Sequence, residues 1–133
     1  MVTTLLRILL GLVFLVFGLN GFLHFLPMTL PKGPAGDFIG ALAASGYMLP
    51  LVSGTQTIAG VMLLLGLYVP LALALLAPVI VNIFFFHVFL ARDGLPLAII
   101  VVAIELYLAW AHREAFAPLF GSRTASQASR AAA

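Results

Sequence analysis

Leu49–Ala91 reads LPLVSGTQTIAGVMLLLGLYVPLALALLAPVIVNIFFFHVFLA, without one formally charged residue. It is too long for a single crossing of a bilayer, whose hydrocarbon core of about 30 Å takes roughly 20 helical residues. Leu67-Tyr68-Val69-Pro70 interrupts it. Pro70 suits the first turn of a helix, where its missing N–H goes unused. Two spans are therefore predicted, about Leu49–Leu67 and Leu71–Ala91, joined by a tight turn. Pro78 falls inside the second and should bend it slightly.

Toward the N-terminus no charge occurs between Arg7 and Lys32, which gives a first span over about residues 5–26. That apolar run exceeds the core of a secretory leader, and no small-x-small cleavage step follows it, so it reads as a retained span. Between these spans, Lys32, Gly33, Pro34, Gly36 and Asp37 suit a loop, and Phe38, Ile39 and Leu42 then recur at helical spacing. A short helix capped by Asp37 and lying at the membrane surface is expected there. Toward the C-terminus, Arg92-Asp93-Gly94 makes a polar turn and Pro96 opens a last span over about residues 95–113. The prediction is an all-α, four-helix transmembrane bundle over residues 1–118. The remainder, 119–133, has too little apolar area to order itself and reads as a disordered tail.

Composition agrees. Of the 133 residues 64% are apolar and 8% charged, against roughly 25% charged in a soluble domain. No cysteine is present, which excludes disulfides, thiolate metal sites, iron–sulfur ligation and dithiol chemistry. A formal charge of +2 with no basic stripe excludes a nucleic-acid footprint. The cations serve better as topology signals: Arg7, Arg113, Arg123 and Arg130 lie on the side of the termini, against Lys32 and Arg92 opposite. That bias predicts a multi-pass protein of the inner (plasma) membrane with both termini cytoplasmic. Tyr68 and Trp110 at inner helix ends and Tyr47 at an outer end fit the same orientation. No internal repeat suggests a transporter built from inverted halves.

Inside the spans, hydrocarbon should reject Asn20, His24, Gln56, Asn82, His87 and Glu105, and these are the candidate ligand-binding residues. The plainer alternative is that the amides are glue between helices. At 1.5 Å per residue, His24 and His87 fall roughly 3–6 Å below the outer helix ends, Asn20 and Gln56 about 9–11 Å, and Asn82 about 14 Å. Asn20 and His24 share a helix face, as do Ser53, Gln56, Thr57 and Gly60, so both stripes could line one outer-leaflet pocket. Asn82 and His87 lie about 140° apart around their helix and would need a broad pocket wall. Glu105 sits near the middle of the last span, where a bare carboxylate costs several kcal/mol. It should face the bundle, paired or carrying a proton. His112 and Arg113 read as an interfacial pair that anchors the helix end.

Other chemistries find less support. His24 and His87 are the only pair placed to ligate haem, and no attachment motif accompanies them. Two histidines without a nearby acid are too few for zinc, and no nucleophile motif occurs. Gly11, Gly18, Gly21, Gly54, Gly60 and Gly66 suit close helix packing, not a phosphate cradle.

The stretches Gly46-Tyr47-Met48-Leu49-Pro50, Gln56 through Gly66, Val81-Asn82-Ile83-Phe84-Phe85-Phe86-His87 and Ala103-Ile104-Glu105-Leu106-Tyr107 resemble the DoxX family of small bacterial membrane proteins, over about Leu5 to Phe120. The resemblance implies a four-helix bundle associated with redox complexes, where members are described as subunits of thiosulfate or quinol oxidoreductases. Other relatives resemble accessory or assembly proteins. Family members often carry Glu-x-x-Gly-Gly in the second span; here Gln56-Thr57-Ile58-Ala59-Gly60 has the neutral amide. Proton transfer at that position is thereby disfavoured.

The leading expectation is a non-catalytic membrane subunit or binding protein that holds a quinone or another lipophilic molecule, its head against Gln56, His87 and Asn82. The alternative is a structural or assembly partner of another membrane protein, for which Gly11, Gly18 and Gly21 could supply an exposed small-residue face. A proton or solute carrier using Glu105 and His112 ranks lowest, since four spans leave little room for two access states. Self-association into a homo-oligomer is compatible with a bundle this small.

Overall fold

The computed structural model describes residues 1–26, 29–121 and 132. Its helices are α1 (Val2–Leu23), α2 (Pro34–Ala44), α3 (Met48–Leu65), α4 (Val69–Phe89), α5 (Leu95–Ala111) and α6 (Arg113–Phe116), with single 3₁₀ turns at Arg92–Gly94 and Ala117–Phe120. Four helical segments, α1, α3, α4 and α5 with the turn before it, are long and apolar enough to cross a membrane. They form a closed ring in which α1 touches α3, α3 touches α4, α4 touches α5 and α5 returns to α1.

The ring's interior is built from Leu10 and Phe14 of α1, Ala59 and Leu63 of α3, Leu73 and Leu76 of α4, and Val101 and Leu108 of α5. Its exterior is as apolar as its core: Leu12, Ile58, Leu71, Ile100 and Leu106 are all exposed. Such a surface is stable only where the solvent is itself hydrocarbon. The membrane class thus follows from where the side chains point, and not from composition alone.

α1 and α3 pack most closely. A Cβ on Gly18 would stand 2.5 Å from Thr57 Oγ1, one on Gly60 2.7 Å from the backbone nitrogen of Leu15, and one on Gly11 2.9 Å from Leu63 Cβ. As the α1 numbers rise the α3 numbers fall, so the two helices are antiparallel. Gly21 likewise receives the side chain of Ser53. Gly11 and Gly18 are therefore spent inside the chain, and of the three glycines considered for an exposed small-residue face only Gly21 is exposed.

The ends of the helices explain several departures from expectation. α1 begins at Val2 and stops at Leu23, three residues short of the expected limit. His24 adopts a left-handed conformation (φ 52°) and gives its N–H to the carbonyl of Asn20, while Leu26 N–H donates to Asn20 Oδ1 at 2.7 Å. One asparagine thus closes the helix with both its backbone and its amide. α2 begins at Pro34, three residues before the expected cap: Gly33 is the N-cap, Asp37 lies within the first turn, and no side chain caps the end. Proline at the first position needs no donor, and Asp37 remains favourably placed near the positive end of the helix dipole. Phe38 meets Phe86 of α4 (ring centroids 5.8 Å apart), which puts α2 at the end of the bundle remote from the N-terminus.

The α3–α4 turn is as tight as expected. Gly66 takes φ 70° and Leu67 N–H reaches back to Met62 O at 3.0 Å, a Schellman closure. Arg7 of α1 completes it by donating to the carbonyls of Leu63 and Leu64. α4 then starts at Val69 with Pro70 in its first turn and runs without a break through Pro78. The chain from residue 119 was expected to be a tail; Leu119 and Phe120 instead close the 3₁₀ turn, and residues 122–131 and 133 lie outside those described.

Candidate functional site

Glu105 is 7% exposed, on the face of α5 that turns toward α4. Its Oε2 is buried without a hydrogen-bond partner among the described residues. A buried polar atom left unbonded costs about 1–3 kcal/mol, so this oxygen calls for an occupant of the space beside it.

That space exists because the facing side chains are small. Ala74 and Ala77 stand one turn apart on α4, and Ala109 stands one turn beyond Glu105 on α5. Helices packed across alanines leave a crevice where larger residues would fill it. The result is a cavity of about 360 Å³ that runs from Glu105 past Ala109 to Arg113, Phe116 and Phe120, with Leu73 as its inner wall. This is within the size range of small-molecule sites, roughly 300–1,000 Å³. Ala74, Ala117 and Phe120 at its rim are exposed, so it opens sideways out of the bundle at the end where α1 begins and α5 finishes. A second cavity of about 200 Å³ lies on the other side of Glu105, lined by Ile80, Val81, Phe84, Phe85, Val102 and Leu106. Ala77 and Glu105 line both.

Pro78 follows Ala77 on α4 and itself lines neither cavity. Having no N–H, it cannot bond to the carbonyl of Ala74, four residues earlier and itself part of the first cavity. The carbonyl of Ala74 is an acceptor without its helical donor.

Arg113 stands at the mouth. Its Nη1 donates to Trp110 O at 3.0 Å and its guanidinium lies 4.7 Å from the centroid of the Trp110 ring. His112 Nδ1 donates to Leu108 O at 2.9 Å and does not line the cavity. Both residues secure the end of α5, in keeping with the anchoring role expected of them.

The other five candidates go elsewhere. Asn20 is buried and closes the end of α1. His24, beyond that end, is exposed and no longer shares a helical face with it. Gln56 is half-buried on α3, and Asn82 is exposed on α4. His87 Nδ1 donates to Ala91 O at 3.0 Å, and its ring rests on Gly94, so it braces the α4–α5 turn. None of the five lines either cavity. The α1 and α3 stripes do face each other, but Ser53 and Thr57 close directly on Gly21 and Gly18, and Thr57 Oγ1 donates to Ser53 O at 2.8 Å. Small residues let the backbones meet, and neither of the two cavities lies between them. Among the described residues no three His, Asp or Glu side chains converge as metal ligands would.

The family model that matches the chain is DoxX, over residues 2–88. The chain belongs to the DoxX family. The matched region of this DoxX protein covers α1 to α4 almost completely and stops before α5, so the case for Glu105 rests on this chain's own geometry. No curated protein and no solved structure matches it.

Sequence reasoning found Glu105 but not its surroundings. Ala74, Ala77 and Ala109 read as apolar filler in isolation. The available signal was their register: Ala74-x-x-Ala77 on one span, and Glu105-x-x-x-Ala109-x-x-x-Arg113 at one helical turn per step on its neighbour.

Proposed function

We propose that this DoxX-family protein is a non-catalytic membrane subunit that holds a lipophilic molecule, a quinone fitting best, with its oxygenated head at Glu105. The buried, unpartnered Oε2 of Glu105, a residue that lines an apolar cavity, carries this reading. A quinone carbonyl needs a donor, which a protonated carboxyl supplies, and a quinol hydroxyl needs an acceptor, which a carboxyl oxygen or the carbonyl of Ala74 supplies. The sideways opening suits a ligand that arrives from the lipid. The head is thus assigned to Glu105 in place of Gln56, His87 and Asn82. Association with a redox complex of the inner membrane is the matching role, and Arg7 and Arg113, at the end where α1 begins and α5 finishes, favour that end as cytoplasmic.

The test is mass spectrometry of solvent extracts from protein purified in mild detergent. A quinone should accompany the wild type and be lost from Glu105→Leu. Equal ligand content in the two removes the reading.

One observation favours a second role, as an assembly partner. Asn82 is exposed on the outside of a membrane-spanning helix, and an amide in hydrocarbon is costly until bonded to a neighbour. Because the chain has no cysteine, Asn82→Cys provides a unique crosslinking point. A crosslinked partner of defined mass in native membranes supports this role, and labelling by lipid probes alone excludes it.

A further inference from the structure

The cavity on the far side of Glu105 is not needed to hold a head group. Ala77 and Glu105 line both cavities, so the two flank the same side chains between α4 and α5. They differ in character. The first ends at Arg113 and an exposed rim, whereas the second is lined, Glu105 apart, by aliphatic and aromatic side chains, including Phe84, Phe85 and Leu106. Glu105 stands six residues before the end of α5, roughly 9 Å from it, and the second cavity extends from there toward the opposite leaflet.

We propose that the second cavity receives the hydrocarbon chain of the same ligand, so that one single-chained amphiphile threads past Glu105. Its oxygenated head lies toward Arg113 and its chain lies among Val81, Phe84, Phe85 and Leu106. This rests on the proposed binding of a lipophilic head at Glu105 and adds to it the class of molecule and its direction. Head toward the terminal face and chain toward the bilayer centre is also how an amphiphile of that leaflet already lies, so entry requires no inversion. The wall that the two cavities share at Ala77 and Glu105 points to the ligand's own chain over a bilayer lipid's acyl chain, which would leave the two cavities independently filled.

A benzoquinone carrying a decyl chain with a diazirine at its end tests this on the full-length protein in nanodiscs. Photolysis and peptide mapping should place the label on Val81–Phe85 and on Val102–Leu106, and Glu105→Gln should reduce that labelling about tenfold through the weakened head contact. Val81→Trp, which fills the second cavity from its exposed side, should remove the label there while the chainless benzoquinone still binds. Label that depends on Glu105 but falls around Phe116–Phe120 overturns the chain placement and leaves the head reading intact. Label indifferent to Glu105→Gln, or Val81→Trp without effect on its position, overturns the inference, the former together with the head reading.

Discussion

The guanidinium of Arg7, in the second turn of α1, donates to the carbonyl of Leu63 in the last turn of α3 and so joins the start of one span to the end of another. A cation at a helix C-terminus also meets the negative end of the dipole. Arg7→Ala should lower the unfolding free energy by about 1–2 kcal/mol, and Arg7→Lys should recover part of it. Thermal unfolding in detergent checks this, with ligand content unchanged in both variants.

Gly18 is buried against Thr57 with no room for a β-carbon. Gly18→Leu should force α1 from α3 and cost about 1–3 kcal/mol or more, while Gly54→Ala, whose added carbon would meet only Phe22 at 3.9 Å, should be nearly neutral. Comparing the two by chemical unfolding separates close packing from general helix propensity. Equal effects would contradict the packing described.

Glu105 carries a buried, unbonded oxygen beside an apolar cavity, so its removal should stabilise the empty protein. Glu105→Leu is expected to raise the unfolding free energy by about 1–3 kcal/mol while abolishing ligand retention. A variant less stable than the wild type after delipidation would show that the carboxyl has a structural partner.

Pro78→Ala restores an N–H opposite the carbonyl of Ala74. Stability should rise, by as much as about 3 kcal/mol if α4 relaxes fully, and ligand affinity should fall as that acceptor is withdrawn. Unfolding and quinone titration on the same preparation test both halves.

The spans were legible because hydrocarbon demands unbroken apolar runs, and breaks such as Pro70 and Asp93-Gly94 stand out against them. The end of α1 was not, because it depends on the amide of Asn20 reaching Leu26, a contact that leaves no periodicity. Depth along a helix can be counted from sequence, so Asn20, Gln56 and Asn82 could be placed at related levels. Direction around the helix is set by which faces pack. The glycines of α1 turned Ser53 and Thr57 into a closed seam, and Asn82 was left outside the ring. Glu105 was recognisable since a lone acid in a span must point inward. Its cavity was not, since a void is made by what three alanines fail to fill.

A site whose doorway faces the membrane's interior is governed by mole fraction in the leaflet, not by aqueous concentration. Ala74 and Phe120 are exposed at the rim of the first cavity, which would put a ligand arriving from the lipid in that situation. A guest already dissolved among the lipids has left water behind, so little of its hydrophobic free energy remains to be gained on docking, and selectivity falls to the few polar contacts at Glu105. Occupancy should therefore follow the makeup of the surrounding bilayer.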